Sequence, residues 1–303
     1  MRIFAIILLL SALACAQVGE TPPTPTPGVV PSNGPAAPTS PIDVDNAHKA
    51  KALLDQAIQA LGGQAYLSAQ NKGEEGRFYS LHHGESRGLG TQYRTFVRFP
   101  DQDRFEILGR GNVLVPLPLV GVIVVGHDKK NKQDIVVIHN GDKGYETTYK
   151  GTAPQDKEEL AAYLRRRRHS LDQVLRKWIN DPAMAFFYDG LAIVDGKPTD
   201  KITLLNSQND AVSVFLDQST HLPLMTSFTW RDPKDKQKNT EEEIFDNYKR
   251  VEGIMTPLSV TRKFNGEMSH QRFINSAKYN LPLDNALFQA AVDYDPLAPM
   301  KKR

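Results

Sequence analysis

Cysteine is almost absent from this sequence. The 303 residues include one, Cys15. A single cysteine excludes an intrachain disulfide, and it leaves too few thiolates for an iron–sulfur cluster or a thiolate zinc site. The stability of the chain must therefore come from the packing of its own core.

An excess of charge of either sign is also missing. The 37 Lys and Arg residues nearly balance the 35 Asp and Glu residues, which gives a formal net charge of +2. Nucleic-acid binding usually depends on a concentrated positive field, so we expect no nucleic-acid partner. Apolar residues make up 40% of the chain, enough for the packed core of one large domain or two modest ones.

Recognisable catalytic motifs are missing as well. The chain contains no G-x-S-x-G, H-E-x-x-H, G-x-x-x-x-G-K or G-x-G-x-x-G pattern. Its eight histidines are scattered, and the one adjacent pair, His82-His83, would point to opposite faces of a strand rather than toward one metal ion. We therefore expect no catalytic residue, no metal and no other cofactor.

The N-terminus has the pattern of a secretory signal peptide over residues 1–16. Arg2 precedes an apolar run, Ile3–Leu10, that is too short to span a bilayer, and small residues follow it. Ala14-Cys15-Ala16 fits a signal-peptidase site, which would start the mature chain at Gln17. The segment 11–15 also resembles a bacterial lipobox, in which Cys15 would become the acylated first residue. Both interpretations remain open.

Residues 17–44 have the composition of a disordered tether. The stretch from Val18 to Pro41 holds eight prolines, one charged residue (Glu20) and no aromatic residue. Such a segment buries too little apolar surface to offset its ordering entropy, and its Thr-Pro repeats favour an extended spacer. We place the folded domain at 45–293 and a basic tail at 294–303.

The folded part reads as an α+β domain. Asp43 or Asp45 is placed to cap a helix that runs to about Leu61, where Gly62-Gly63 would end it. Two further helices are predicted from capping boxes that begin at Thr152 and Ser170. About ten or eleven short strands surround them, without alternating strand–helix units, so an antiparallel sheet with helices on one face is expected.

Several strands carry apolar residues on both faces, as Phe96 opposes Val97 and Phe215 opposes Val214. Such a sheet must be covered on both sides, or one face must line an apolar cavity; a thick core is the simpler alternative. The candidate cavity residues are Tyr93, Val97, Phe99, Phe105, Ile107, Val214, Leu216, Phe228 and Trp230.

Two further segments allow two interpretations each. Val113–Val125 is nearly all apolar: it is either a buried strand pair, or its tip, with Leu117 and Leu119, contacts a membrane or covers a cavity. The run Arg165–Arg168 is either a solvated turn or a contact for anionic lipid or an acidic partner, and its four side chains would wrap most of a helix. Glu241–Glu243 indicates the charged exterior of a strand.

The order of elements resembles a known family. The segments that carry the resemblance are Ala60–Gly63, Asn140–Tyr145, Val214–Leu224, Phe245–Pro257, Asn275–Asn280 and Leu287-Phe288. Over about residues 45–293, the chain resembles the bacterial outer-membrane lipoprotein-sorting (LolA/LolB-like) superfamily. The Pro-rich tether and the long 113–125 stretch depart from the small carriers of that superfamily.

The resemblance implies an unclosed antiparallel half-barrel whose concave face is covered by helices and holds acyl chains. It supplies no catalytic residues, and its latching arginine has no counterpart assigned here. We therefore expect an exported, non-enzymatic envelope protein, periplasmic or tethered to the outer membrane, that binds a lipid or the acyl chains of a lipoprotein. The alternatives are a sensor or interaction module that binds an envelope protein partner through Arg165–Arg168 and, less favoured, a hydrolase of envelope polymers.

Overall fold

The computed structural model describes residues 41–82, 85–86, 90–108, 113–117, 121–125 and 135–297. The predicted signal peptide, Cys15, most of the predicted tether and Leu119 lie outside the described residues. Leu117 is described in its backbone alone. These predictions stay predictions.

The described helices confirm two of the sequence signals and correct two others. The first helix begins at Pro41, ahead of Asp43 and Asp45, so neither residue is its N-cap. The α-helices are α1 (Pro41–Leu61), α2 (Gln64–Ser68), α3 (Lys157–Arg168) and α4 (Leu171–Arg176), and two 3-10 helices cover Trp178–Asn180 and Asn285–Phe288. α1 ends as predicted, because Gly62 and Gly63 take positive φ and the Gly63 N–H donates to the Ile58 carbonyl at 2.8 Å. Ser170 caps α4 as predicted.

α3 does not begin at the predicted capping box. Its N-cap is Asp156, whose carboxylate accepts hydrogen bonds from the N–H groups of Glu158 and Glu159. Thr152 lies instead in a strand, where its hydroxyl hydrogen-bonds that of Thr147 at 2.9 Å. The S/T-x-x-Q pattern was misleading because an Asp four residues on offers a better anionic cap.

Strands dominate the described chain. They are β1 (Asn71–His82), β2 (Glu85–Ser86), β3 (Thr91–Arg98), β4 (Gln102–Leu108), β5 (Val113–Leu117), β6 (Gly121–Val125), β7 (Ile135–Asn140), β8 (Lys143–Thr148), β9 (Gly151–Pro154), β10 (Ala185–Val194), β11 (Lys197–Leu205), β12 (Ala211–Asp217), β13 (Pro223–Arg231), β14 (Lys238–Val251), β15 (Ile254–Phe264) and β16 (Glu267–Tyr279). Fourteen of them form one antiparallel sheet, and β5 and β6 form a second.

The large sheet is open. Its order is β10-β11-β12-β13-β14-β15-β16-β1-β3-β4-β7-β8-β9, with β2 beside β1, and every pairing is antiparallel. The α+β class and the unclosed antiparallel sheet are as predicted, but ten or eleven strands was too few. β10 was missed because Asp189 and a bulge at Gly190 interrupt its alternation.

The main core lies between the helices and one end of the sheet. Apolar side chains of α1, α2 and α4 meet the inward side chains of β11 and β12, with Ile254 and Tyr279 from the central strands. We call this side of the sheet the helix-covered face. Leu54, Leu175, Ile202, Leu204 and Val212 are all essentially inaccessible to solvent.

The opposite face is covered by the C-terminal segment rather than by a helix layer. Phe288 is buried there, with the Arg98 guanidinium stacked 4.6 Å from its ring. Arg104 donates to the Leu287 carbonyl at 3.2 Å, and Asn140 donates to the Phe288 carbonyl at 3.3 Å. The C-terminal segment thus explains the apolar residues on this face of β3, β4 and β7.

In the part of the chain that the structure describes, no helix has both the length and the apolar character needed to cross a membrane.

The turn after α1 gives a stability test. A Cβ at Gly62 would lie 2.6 Å from the Gly253 carbonyl oxygen, in a backbone with φ +129°. A Cβ at Gly266 (φ +83°) would meet nothing within 4 Å. Both alanine substitutions strain φ, but Gly62→Ala alone must also push the α1 turn off the sheet. We expect G62A to lose at least about 1 kcal/mol more unfolding free energy than G266A in urea titrations. Equal losses would contradict the close approach.

Candidate functional site

The candidate cavity residues share one face of the sheet. By the strand register, Val214 and Leu216 of β12, Phe228 and Trp230 of β13, Tyr93 and Val97 of β3, and Phe105 and Ile107 of β4 all point to the helix-covered face. Phe99, just after β3, packs on the edge of the main core. The alternation in the sequence therefore selected a single surface, although whether that surface binds a ligand stays a prediction.

The same residues do not gather in one place on that face. Val214 and Leu216 are fully buried within the main core. The Phe228 ring stacks on His169 at 4.1 Å, just after α3. Phe99 lies 4.0 Å below the Arg176 guanidinium of α4. This half of the face is thus filled by helix side chains.

Three of the remaining candidates, Tyr93, Phe105 and Ile107, belong to a second apolar cluster, separate from the main core, whereas Val97 and Trp230 lie outside it. Phe105 stacks on Tyr93 at 5.3 Å, and Phe78 meets both rings edge-on at 5.7 and 6.2 Å. We call this cluster the aromatic patch: Phe78, Tyr93, Phe105, Ile107, Ile135 and Val137. Phe78, Phe105 and Val137 are only partly buried, so the patch offers apolar surface that α1 and α4 leave free.

α3 crosses the helix-covered face and is attached at its two sides. On the β4–β7 side, the Tyr163 hydroxyl donates to Asp103 at 3.0 Å, and its ring stacks 3.4 Å from that of His139. The Nδ1 of His139 lies 2.7 Å from the Asp103 carboxylate, and its Nε2 lies 2.9 Å from the Gln155 side-chain oxygen. Burial and the neighbouring Asp103 raise the pKa of Tyr163, so its hydroxyl keeps the proton that it donates.

On the β13–β14 side, α3 is held by charged and aromatic groups. The Arg165 guanidinium lies 3.4 Å above the Trp230 ring, and its Nε is 3.5 Å from Glu241. The Trp230 indole N–H donates to the same carboxylate at 3.0 Å. Arg166 reaches Glu241 at 3.7 Å.

The arginine run is not a solvated turn. Arg165–Arg168 form the last turn of α3 and wrap around it, as predicted for four consecutive positions. Arg167 reaches the opposite side, where it donates to the carbonyls of Asp101 and Gly141 at 3.1 and 2.7 Å, and Arg168 pairs with Asp210 at 3.4 Å. Arg165 and Arg166 therefore attach α3 to the β13–β14 end of the helix-covered face, and Arg167 attaches it to the β4–β7 end.

A line of charged side chains crosses the central strands on the helix-covered face. We call it the ionic row: Lys72 and Glu74 of β1, Arg272 of β16, Arg262 of β15 and Glu243 of β14. Lys72 pairs with Glu74 at 2.5 Å, and Arg262 pairs with Glu243 at 3.1 Å. Burial alone would raise the pKa of Glu74, but Lys72 and Arg272 outweigh it and lower that pKa.

The sequence analysis missed the ionic row and misassigned its neighbours. Glu241–Glu243 are not a charged exterior, because Glu241 and Glu243 point to the helix-covered face and only Glu242 points away. The sequence offers no periodic signal for it, because the charged residues of β14 and β15 are consecutive, as in Glu241–Glu243 and Arg262-Lys263. Such charges are normally assigned to solvent, and only the register shows otherwise.

Two surface pockets open beside these groups. One, of about 460 Å³, lies between the end of β3 and α4, and Phe99, Arg98 and Arg176 contribute to it. The other, of about 470 Å³, lies beside Trp230 and Asp210. Within the described ranges, no three His, Cys, Asp or Glu side chains meet as a metal site would require.

Comparison with known proteins places the chain far from its relatives. No protein-family model and no curated protein matches its sequence. A solved structure of a DUF1329 family protein from Desulfovibrio piger is 14% identical, with a TM-score of 0.47, over 79% of this chain and 97% of that one. A LolA superfamily protein from Nitrosomonas europaea is 11% identical, with a TM-score of 0.45, over 79% and 97%.

His270 supplies a pH test of the site. It lies on the helix-covered face opposite Arg262, and burial together with Arg262, Arg166 and Arg272 lowers its pKa from 6.5 to about 4. The folded chain then keeps His270 neutral while the unfolded chain protonates it, so stability is lost as the pH falls from 6.5 toward 4. Between pH 7 and pH 5 we expect wild type to lose about 2 kcal/mol more unfolding free energy than His270→Gln. Parallel pH profiles would contradict this assignment.

Proposed function

We propose that this protein is a non-catalytic envelope protein that holds the acyl chains of a lipid or lipoprotein between α3 and the aromatic patch. The observation that carries the proposal is the patch itself. It is a partly exposed group of aromatic and aliphatic side chains on the helix-covered face, outside the main core. Apolar surface of this kind gains free energy when it is covered, and an acyl chain covers it without polar partners.

The nature of the attachment of α3 supports a role as a movable cover. α3 has no buried residue, and its described attachments are hydrogen bonds, ion pairs and stacked rings. Lifting it would therefore expose little new apolar surface, whereas lifting α1 would open the main core. A binding protein needs an element that opens at low cost, and α3 meets that need.

The envelope location rests on the predicted signal peptide, and anchoring would follow if Cys15 is acylated. Membrane contact would fall to the β5–β6 hairpin, which forms a sheet of its own and pairs Leu117 with Gly121. Leu117 and Leu119 stay the candidates for that contact.

A variant of the aromatic patch tests the proposal. In Val137→Arg, a cation would enter the patch, and Glu146, directly opposite on β8, would pair with it so that the sheet still forms. We expect wild type exported from its own signal peptide to carry a lipid that organic solvent releases, and V137R to carry several-fold less, by native mass spectrometry.

The matched control is Phe187→Arg, which alters a 42% exposed aromatic residue on β10, far along the sheet from the patch. F187R should keep the lipid of wild type. The proposal would be contradicted if the wild-type protein carried no lipid and also took up none when lipid was added. Equal lipid in V137R and wild type would place the acyl site elsewhere.

A second candidate function, a protein-interaction module, is favoured by β10. This strand ends the sheet order, and it leaves Leu191 and Ile193 69% and 77% exposed. An edge strand with exposed apolar side chains is a surface to which a partner strand adds readily. This surface differs from Arg165–Arg168, whose contacts lie within the chain.

Photocrosslinking tests that second function. A photoreactive amino acid at position 191, introduced in the producing cell, should give one adduct of discrete mass if β10 receives a partner. The same group at exposed Leu67, on α2, serves as the control. Identical adduct patterns at both positions would exclude a specific partner for β10.

A further inference from the structure

The charges of the ionic row and of the last turn of α3 above it, Arg165 and Arg166 with Glu241, do not balance. Among the described residues, five cations meet three carboxylates there: Lys72, Arg165, Arg166, Arg262 and Arg272 against Glu74, Glu241 and Glu243. Each carboxylate is shared by two cations. This cluster therefore carries two positive charges in excess in a half-buried setting, where water screens charge less than at the surface. Glu146 and Glu159, the neighbouring carboxylates of this face and of α3, lie outside the cluster, Glu159 in the first turn of α3.

The arginines are held loosely by their shared partners. Arg166 lies 3.7 Å from Glu241, and Arg272 lies 3.5 and 3.9 Å from Glu74 and Glu243. Charge-assisted hydrogen bonds are usually about 2.7–2.9 Å long, so these guanidinium groups retain donors for a stronger acceptor. Burial and the nearby Arg262 lower the pKa of Arg166 to about 10, which is what a neighbourhood of excess positive charge produces.

The positive centre adjoins the aromatic patch. Arg272 is the direct cross-strand neighbour of Phe78 in the β1–β16 pair. Tyr93 lies on the same face as Arg272, on the other side of β1. A ligand whose chain covers the patch would thus bring its polar end to the arginines.

We propose that the ligand carries an anionic head group, a phosphate or a carboxylate, which binds between Arg166 of α3 and Arg262 and Arg272 of the sheet. This inference rests on the proposed function and names the ligand class for the same site. An anion in that position would neutralise the two excess charges. Because it would touch both α3 and the sheet, its binding would also hold α3 closed.

Three soluble probes distinguish the head group from the chain. Isothermal titration calorimetry of the full chain, below the micelle concentrations, would compare dodecyl phosphate, dodecyl maltoside and inorganic phosphate. The two dodecyl probes share a chain and differ in charge, whereas inorganic phosphate has the charge alone. We expect dodecyl phosphate to bind at least about ten-fold more tightly than either of the others, because the maltoside lacks the charge-assisted hydrogen bonds and inorganic phosphate lacks the buried apolar chain.

Variants locate the head group. Arg166→Gln and Arg262→Gln should each weaken dodecyl phosphate at least about five-fold and leave dodecyl maltoside unchanged. Arg168→Gln is the matched control, because Arg168 belongs to the same helical turn, is more exposed than Arg166 (60% against 36%) and pairs with Asp210 instead. R168Q should bind as wild type does.

Different negative results would overturn the anionic head group and the proposed acyl binding. Equal affinities for the phosphate and maltoside probes, unchanged in R166Q and R262Q, would overturn the anionic head group and leave acyl binding in place. Binding of neither dodecyl probe would overturn the proposed function. Inorganic phosphate as tight as dodecyl phosphate would confirm an anion site and overturn its link to an acyl chain. An equal loss in R168Q would show that surface charge alone attracts the probe.

Discussion

The pairing of β1 with β16 is the contact on which the rest of the structure depends. The chain enters the sheet at its middle, so the seven strands β10–β16 and the strands β3–β9 of the large sheet are joined through β1 alone in the sheet order. The register runs from Lys72↔Tyr279 to Ser80↔His270. Asn71, at its start, donates to the Leu281 carbonyl at 3.0 Å and accepts from the Leu281 N–H at 2.8 Å. The aromatic patch and the ionic row exist only while this seam holds.

Burying the ionic row has a free-energy cost, which indicates a use beyond stability. Glu74 is 3% exposed, and apolar residues of similar volume usually stabilise a core at least as well as buried ion pairs do. The row also separates two apolar regions that would otherwise merge into one thick core. The proposed amphipathic ligand would give the row such a use.

The sequence predicted the parts of this fold that local chemistry determines. Gly62-Gly63 ends α1, Ser170 caps α4, and the alternation of Tyr93, Val97, Phe105 and Ile107 selects the helix-covered face. Each of these depends on backbone preference or on side-chain periodicity over a few residues.

The missed features depend on partners distant in sequence. Arg165 contacts Trp230 and Glu241, and Arg272 pairs with Glu74, which is almost 200 positions earlier in the sequence. No local pattern distinguishes such a charge from a solvated one. β10 was not predicted for a related reason. Asp189 and Gly190 weaken its local alternation, whereas its pairing with β11 determines that it is a strand.

A crystal structure of the full chain with dodecyl phosphate is the most direct test of the central claim, that α3 and the sheet enclose an amphipathic ligand. The account predicts the dodecyl chain within about 4 Å of Phe78 and Phe105, and the phosphate within about 3 Å of the Arg166 and Arg262 guanidinium groups. A ligand bound instead in the pocket beside Phe99 and Arg176, or along β10, would contradict it.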